Sequence, residues 1–153
     1  MSQMTVTIEN VSMRHLARLC EIELECFKTE AFTKQQIAYL LTDYNSIGLI
    51  AKENDKIVGF VIGKAHIERR SMMGHISTID VLPAYRRKGT AQMLLQEIEK
   101  IFREKSVEAC RLEVREDNIP ALRLYQKSGY KKIGKLRNYY GNAHGLYLEK
   151  ALI

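Results

Sequence analysis

Apolar residues recur along this chain in two rhythms, strand-like alternation and a three-to-four spacing, and the switches between them mark out its elements. Val6–Glu9 reads as a short strand, and Ser12–Phe27 as a helix with Leu16, Leu19, Cys20 and Phe27 among its apolar positions. Thr33-x-x-Gln36 is a capping-box signal, and Ile37, Leu40 and Leu41 follow it on one helical face. Ile47–Lys52 and Ile57–Ile67 read as strands joined by the turn composition Glu53-Asn54-Asp55-Lys56. Gly74–Leu82 is a further strand, stopped by Pro83. Gly89–Lys105 carries Leu94, Leu95, Ile98, Ile101 and Phe102 at helical spacing, and Glu108–Arg115 returns to a strand pattern. Asn118 can cap a helix running to Ser128, with Pro120 in its first turn and Gly129 just past its end. Tyr130–Arg137 and His144–Ala151 complete the pattern as strands. The order β, α, α, β, β, β, α, β, α, β, β predicts one α/β domain over 1–153, layered around a mixed, mostly antiparallel sheet.

Composition narrows the class. With 153 residues, 46% hydrophobic and 27% charged, the chain has the profile of a soluble globular domain with a sizeable core. No apolar run approaches the ~20 residues of a membrane span. The N-terminus lacks the charged and apolar regions of a signal peptide, so the expected location is the cytoplasm. Cys20, Cys26 and Cys110 are odd in number and form no C-x-x-C pair, which reads as core thiols rather than a disulfide or metal site. The formal net charge of +6 favours polyanionic partners, either a phosphate-rich cofactor or the ribosome surface. The basic pairs Arg69-Arg70 and Lys131-Lys132 read as solvated surface.

Arg86-Arg87-Lys88-Gly89-Thr90-Ala91 differs from those pairs, because it joins a strand to the start of an amphipathic helix. Backbone N–H groups at a helix start, reinforced by the positive end of the helix dipole, form a site for phosphate or pyrophosphate. This is not a Walker loop, since no Gly-Lys-Ser/Thr follows at the right spacing, and it is not the Gly-x-Gly-x-x-Gly dinucleotide fingerprint.

The hexapeptide resembles the Arg/Gln-x-x-Gly-x-Gly/Ala pattern of GNAT-superfamily acetyltransferases. About 30 residues further on, Asn118-x-x-Ala121-x-x-Leu124-Tyr125-x-x-x-Gly129-Tyr130 resembles a second GNAT segment. Within that superfamily the chain looks most like protein N-terminal (Nα) acetyltransferases and ribosomal-protein alanine acetyltransferases. The resemblance implies a seven-stranded sheet flanked by four helices, with acetyl-CoA in a splay between the Gly74–Leu82 and Glu108–Arg115 strands. Ile79, Asp80 and Val81 would pair through their backbones with the pantetheine arm, and the Val81 N–H would face the thioester oxygen. Arg86, Arg87, Lys88, Gly89, Thr90, Ala91 and Gln92 would form the pyrophosphate site, and Asn118 would contact the pantetheine or nearby backbone. Tyr125 holds the position that protonates the leaving thiolate; a phenol of pKa about 10 suits a thiolate whose parent thiol is near 8.5.

The resemblance also assigns the acceptor side. Glu113 lies between Leu112 and Val114, so strand alternation turns it away from them, and it is the candidate general base. His75 falls on the neighbouring strand, where family members hold a water. The two could relay the amine proton, or bind a stray divalent cation; no metal cofactor is expected. A free α-amine has pKa about 7.7–8.0 against about 10.4 for lysine, so a modest base suits an N-terminal substrate better. Glu30 and Phe32 match the substrate loop that reads Leu-Pro-Glu-Asn-Tyr in Ser/Ala-type enzymes, without its proline and without its phenolic hydroxyl. Tyr139 and Tyr140 resemble that family's substrate-backbone clamp. The expected activity is acetyl transfer from acetyl-CoA to protein N-termini, by direct attack in a ternary complex. The alternatives are one ribosomal-protein alanine terminus, a lysine, a small amine, or a catalytically idle acyl-CoA- or ribosome-binding module. Nascent or ribosomal proteins are the expected partners and the ribosome a candidate further one, with no membrane and no specific nucleic acid.

Overall fold

The computed structural model describes residues 5–153, so the first four residues of the domain expected over 1–153 lie outside the described part. The elements are β1 (Val6–Asn10), α1 (Leu16–Phe27), α2 (Lys34–Thr42), β2 (Ser46–Glu53), β3 (Lys56–Glu68), β4 (Ser71–Val81), α3 (Thr90–Glu104), β5 (Ala109–Arg115), α4 (Ile119–Lys127), β6 (Lys131–Leu136) and β7 (Gly145–Ala151). Their boundaries have local causes. The Thr33 side chain accepts from the Gln36 N–H at 3.2 Å, and Gln36 Oε1 accepts from the Thr33 N–H at 2.8 Å, which completes the capping box of α2. The first helix starts as a 3-10 turn over Met13–His15, with the His15 N–H donating to the Ser12 carbonyl at 2.9 Å and the Ser12 N–H capped by His15 Nδ1 at 3.0 Å, and becomes α-helical only at Leu16. Arg69 and Arg70 form the β3–β4 turn, both with positive φ (49° and 71°), the backbone that matches strand twist in tight hairpins.

The sheet runs β1-β2-β3-β4-β5-β7-β6, antiparallel throughout except for the parallel pair β4–β5. One face carries α3 and α4. There Leu94, Leu95, Ile98, Phe102 and Tyr125 pack on Val61, Ile76, Val81, Leu112 and Val114. The other face carries α1 and α2, which bring Leu19, Ile22 and Ile37 onto Ile50, Phe60 and Ile62. Phe102, Ile98 and Leu95 are fully buried, each worth roughly 1.5–3 kcal/mol in apolar transfer. The helices thus hold a sheet whose middle is otherwise weakly joined.

That weak joint positions the site. β4 and β5 share only the pairs Met73↔Ala109, Gly74↔Cys110 and His75↔Arg111. Just beyond, Ile62 pairs with Thr78 and Gly63 with Ile76, so Ser77 is an extra residue without an opposite partner. The bulge exchanges the faces of β4. A Cβ on Gly74 would meet Phe102 of α3, and Ile76 packs in the same layer; beyond Ser77, Ile79 and Val81 pack there while Thr78 turns to Glu23 on α1. β4 stays with β3 as far as Gly59↔Val81, and β5 stays with β7 as far as Arg115↔Gly145. A gap therefore opens between them after His75.

Gly59 leaves no room for a side chain against the end of β4, since a Cβ there would stand 2.5 Å from the Asp80 carbonyl oxygen. Gly59→Ala should cost about 1–3 kcal/mol of stability, read as a lower urea midpoint at an unchanged m-value. Gly134→Ala, whose Cβ would meet nothing nearer than Tyr147 Cβ at 3.7 Å, is the tolerated control.

Candidate active site

The backbone of β4 directs its polar groups into the gap. The Leu82 N–H donates to the Val58 carbonyl at 2.9 Å, and antiparallel ladders alternate. Val81 and, two residues earlier, Ile79 therefore turn their N–H and C=O groups away from β3, toward the space β5 has left. Asp80 between them is bonded to β3 through its backbone, and its side chain is buried under α1. The Val81 carbonyl accepts from Arg86 Nε at 2.8 Å and from Cys26 Sγ at 3.4 Å. Arg86 is thus folded back onto the strand end rather than extended from the loop. Burial pushes the Cys26 thiol up to about 11 and the Cys110 thiol up to about 12, so both stay protonated at neutral pH.

The loop after β4 ends at Gly89, the N-cap of α3, in the left-handed region at φ 82°. A Cβ there would meet nothing within 4 Å. Arg87 shares the left-handed conformation (φ 66°). No side chain caps this helix, and its first internal bond runs from the Met93 N–H to the Gly89 carbonyl at 3.0 Å. The N–H groups of Gly89, Thr90, Ala91 and Gln92 consequently have no acceptor within the helix. Thr90 is buried, while Lys88 reaches Glu53 at 3.5 Å and lies over the Tyr85 ring. Asn118, by contrast, caps α4: its Oδ1 accepts from the Ala121 N–H at 3.2 Å, which leaves the amide nitrogen as the group that can reach a ligand.

Where the gap begins, His75 Nε2 lies 2.7 Å from Glu113 Oε2 and 3.0 Å from Oε1. The pair joins β4 to β5 on the face opposite Leu112 and Val114, with side chains 33% and 21% exposed, wet enough to exchange protons with solvent. Tyr147 on β7 stands directly opposite Glu113. Tyr139 and Tyr140 meet edge to face at 4.9 Å between ring centres. Burial first, and then the Glu113 carboxylate, holds the Tyr139 hydroxyl above its ordinary pKa; burial and Tyr139 push Tyr140 up to about 12. Tyr125 is buried, and its hydroxyl is raised well above the ordinary phenol range, mainly by desolvation and then by Asp80 and Tyr140, one from each side of the gap. It remains a proton donor at any physiological pH. Among the described residues, no group of three or more His, Cys, Asp or Glu side chains is placed to hold a metal ion.

The two expected substrate loops are joined by a residue the sequence pattern did not single out. Arg115 Nη1 donates to Glu30 in the α1–α2 loop and, at 3.0 Å, to Asn142 Oδ1 in the β6–β7 loop. Its Nε and Nη2 engage Asp117, and its guanidinium lies 5.6 Å from the centre of the Tyr140 ring. Arg115 sits two residues after Glu113, so strand alternation alone could have placed it on the same face. Glu30 is accordingly held by an arginine, and Phe32 packs partly into the α1–α2 core while its N–H donates to Glu23 Oε2 at 3.1 Å. Tyr147 and the Glu23–Thr78 contact were likewise invisible without the register. In Arg115→Ala, deuterium uptake should rise together in residues 27–33 and 137–144; Arg115→Lys should not restore protection, because an ammonium cannot reproduce the planar fork.

The profile of the acetyltransferase (GNAT) family matches residues 12–130. An N-alpha-acetyltransferase of Sulfurisphaera tokodaii is 33% identical over 120 residues, 72% of each chain. The ribosomal-protein-S18-alanine N-acetyltransferase of Escherichia coli superposes with a TM-score of 0.87 at 21% identity, over 97% of this chain and 94% of that one. Arabidopsis thaliana NAA60, crystallised in complex with acetyl-CoA, superposes with a TM-score of 0.85 at 19% identity, over 96% and 98%.

Proposed function

The chain belongs to the acetyltransferase (GNAT) family, and from that premise we propose that it transfers the acetyl group of acetyl-CoA to the N-terminal α-amine of proteins. The observation that carries the proposal is the His75–Glu113 contact at 2.7 Å, set where the gap begins, with the backbone of Ile79 and Val81 further along its β4 wall. The residues present suit the coenzyme. Uncapped N–H groups of α3 and the open space beside Gly89 fit a pyrophosphate, and the preceding loop adds the exposed positive charge of Arg87. Acetyl-CoA, when bound, supplies an activated acyl group as its thioester.

Glu113, steadied by His75, takes the proton of the incoming α-amine directly or through a water. The Val81 N–H donates to the acyl oxygen as negative charge builds on it. Tyr125 gives a proton to the departing sulfur, so the products are an amide and a free thiol. Tyr139 and Tyr140 cover the amine and hold the peptide backbone, and Glu30 and Phe32 line the pocket for its first residue. The single Glu–His pair favours an α-amine over lysine, because roughly a tenth of α-amines are already neutral at pH 7. The net charge of +6 suits work on nascent chains at the ribosome, in the cytoplasm. A second reading, one ribosomal-protein alanine terminus, is favoured by the glutamate at 113, which resembles those enzymes more than the histidine of some Nα-acetyltransferases.

Acetyl-CoA with peptides varied at their first two residues, read by mass spectrometry, should yield acetylation of free N-termini and none of an Nα-blocked lysine peptide. Acetylation of the blocked peptide alone would move the function to lysine. Tyr125→Phe should lower kcat by about 10²-fold while coenzyme binding by calorimetry is unchanged. Glu113→Gln should lose a similar factor at pH 7 and recover part of it by pH 9, since the neutral α-amine fraction rises from about a tenth to about nine-tenths.

A further inference from the structure

Beneath the gap, three buried side chains form a line that the transfer chemistry does not use. Thr78 Oγ1 lies 2.6 Å from Asp80 Oδ1 and 3.0 Å from Glu23 Oε1. Glu23 Oε2 accepts the Phe32 N–H at 3.1 Å. Asp80 and Glu23 are 2% and 1% exposed, and Asp80 Oδ2 is buried without a partner. A hydroxyl has one proton, yet here it makes two short contacts to carboxyl oxygens. Both are hydrogen bonds only if one carboxyl is itself protonated. An acid at Asp80 meets that condition: it donates to Thr78, Thr78 donates to Glu23, and Glu23 accepts from Phe32. A neutral Asp80 also leaves no charge on the unpartnered Oδ2, which an ionised carboxylate in that place would not achieve.

The surroundings agree. Burial and the Glu23 charge hold Asp80 well above the usual carboxylate range. Around it stand Glu23 and Cys26 from α1, Thr78 from its own strand, Arg86 from the following loop and Tyr125 from α4, while β3 brings only Phe60 opposite it. Arg86 is the sole cation of this set, and its Nε is bonded to the Val81 carbonyl. The line begins between Ile79 and Val81, whose backbone faces the gap, and ends at the backbone of Phe32.

We propose that Asp80, Thr78 and Glu23 form a hydrogen-bonded chain holding one shared proton, and that this chain positions the Phe32 loop for the first residue of the acceptor peptide. The inference rests on the N-terminal acetyltransferase reading for its peptide, though not for its proton. Glu23 and Asp80 are positioning residues. The chain fixes one wall of the acceptor pocket from the strand that receives the acyl group, so pocket and acyl site move as one body. Loss of the shared proton at alkaline pH places a second charge in the buried pair and loosens the loop.

The test combines infrared spectroscopy, amide exchange and kinetics on the full chain. The wild type at pH 7 should show a carboxylic-acid carbonyl band that is absent in Asp80→Asn, whose amide donates to Thr78 as the acid does. Asp80→Asn should retain the wild-type KM for a free-N-terminus peptide, and hold it at alkaline pH where the wild-type KM rises. Glu23→Ala should speed exchange of the Phe32 amide and raise the peptide KM roughly tenfold, with the acetyl-CoA KM unchanged. Glu23→Gln, which can still accept from Phe32 and donate to Thr78, should restore the peptide KM and serves if Glu23→Ala does not fold. Absence of the band, an equal rise in both KM values, or a tenfold peptide KM increase in Asp80→Asn would each overturn the chain. If the wild type acetylates no N-terminus, the functional reading fails, while the infrared band and Phe32 exchange still decide the chain.

Discussion

β4 and β5 pair over three residues and then separate, and the site depends on that separation. A parallel pair inside a sheet is ordinarily bonded along its length, and an open stretch leaves backbone donors and acceptors without partners. Here the opening is stabilised from outside. β3 and β7 hold the two strands by their far edges, and the α3–α4 layer packs across both, with Val81 from one strand and Leu112 and Val114 from the other in the same cluster. The extra residue at Ser77 adds local twist where the strands part and exchanges the faces of β4. Ile79 and Val81 then anchor in the apolar layer, Thr78 and Asp80 turn toward α1, and the freed backbone of Ile79 and Val81 lines the gap.

The polar groups around this cleft divide by exposure. His75 and Glu113 are partly open to water, so a proton can leave the site. Tyr125, Asp80 and Glu23 are closed off from it, and burial keeps a phenol and a carboxyl in their neutral forms. The gap therefore has a partly hydrated side, at His75 and Glu113, and a dry side, where Tyr125 of α4 and the Asp80–Glu23 pair are buried.

The loops that rim the cleft are irregular, yet they are not independent. Arg115 joins the α1–α2 loop to the β6–β7 loop from the end of β5. Glu23 joins the first of these loops to β4. Both strands of the gap are thus bonded to the loops that rim it, so the loops and the strand separation are mechanically linked. A planar guanidinium is suited to this junction because it binds several acceptors in fixed directions, and its weak hydration lowers the cost of partial burial.

The element order was legible in the sequence because each element carries its own local cause: the Thr33–Gln36 box, the Asn118 cap with Pro120 behind it, the alternation of Ile57–Ile67, and the apolar face of Leu94 to Phe102. The uncapped helix start at Gly89 was legible for the same reason, being a property of a few adjacent residues. His75 and Glu113 could be nominated from strand alternation and family resemblance, but the approach to 2.7 Å of these two side chains, 38 residues apart in the chain, depends on the β4–β5 register. The bulge at Ser77, the backward fold of Arg86, the capture of Glu30 by Arg115 and the burial of Asp80 beside Glu23 left no local signature. Each is decided by which strand lies next to which, and how far along. Short-range propensity and hydrophobic period determine elements, whereas side chains distant in sequence meet only when tertiary packing sets the register between them.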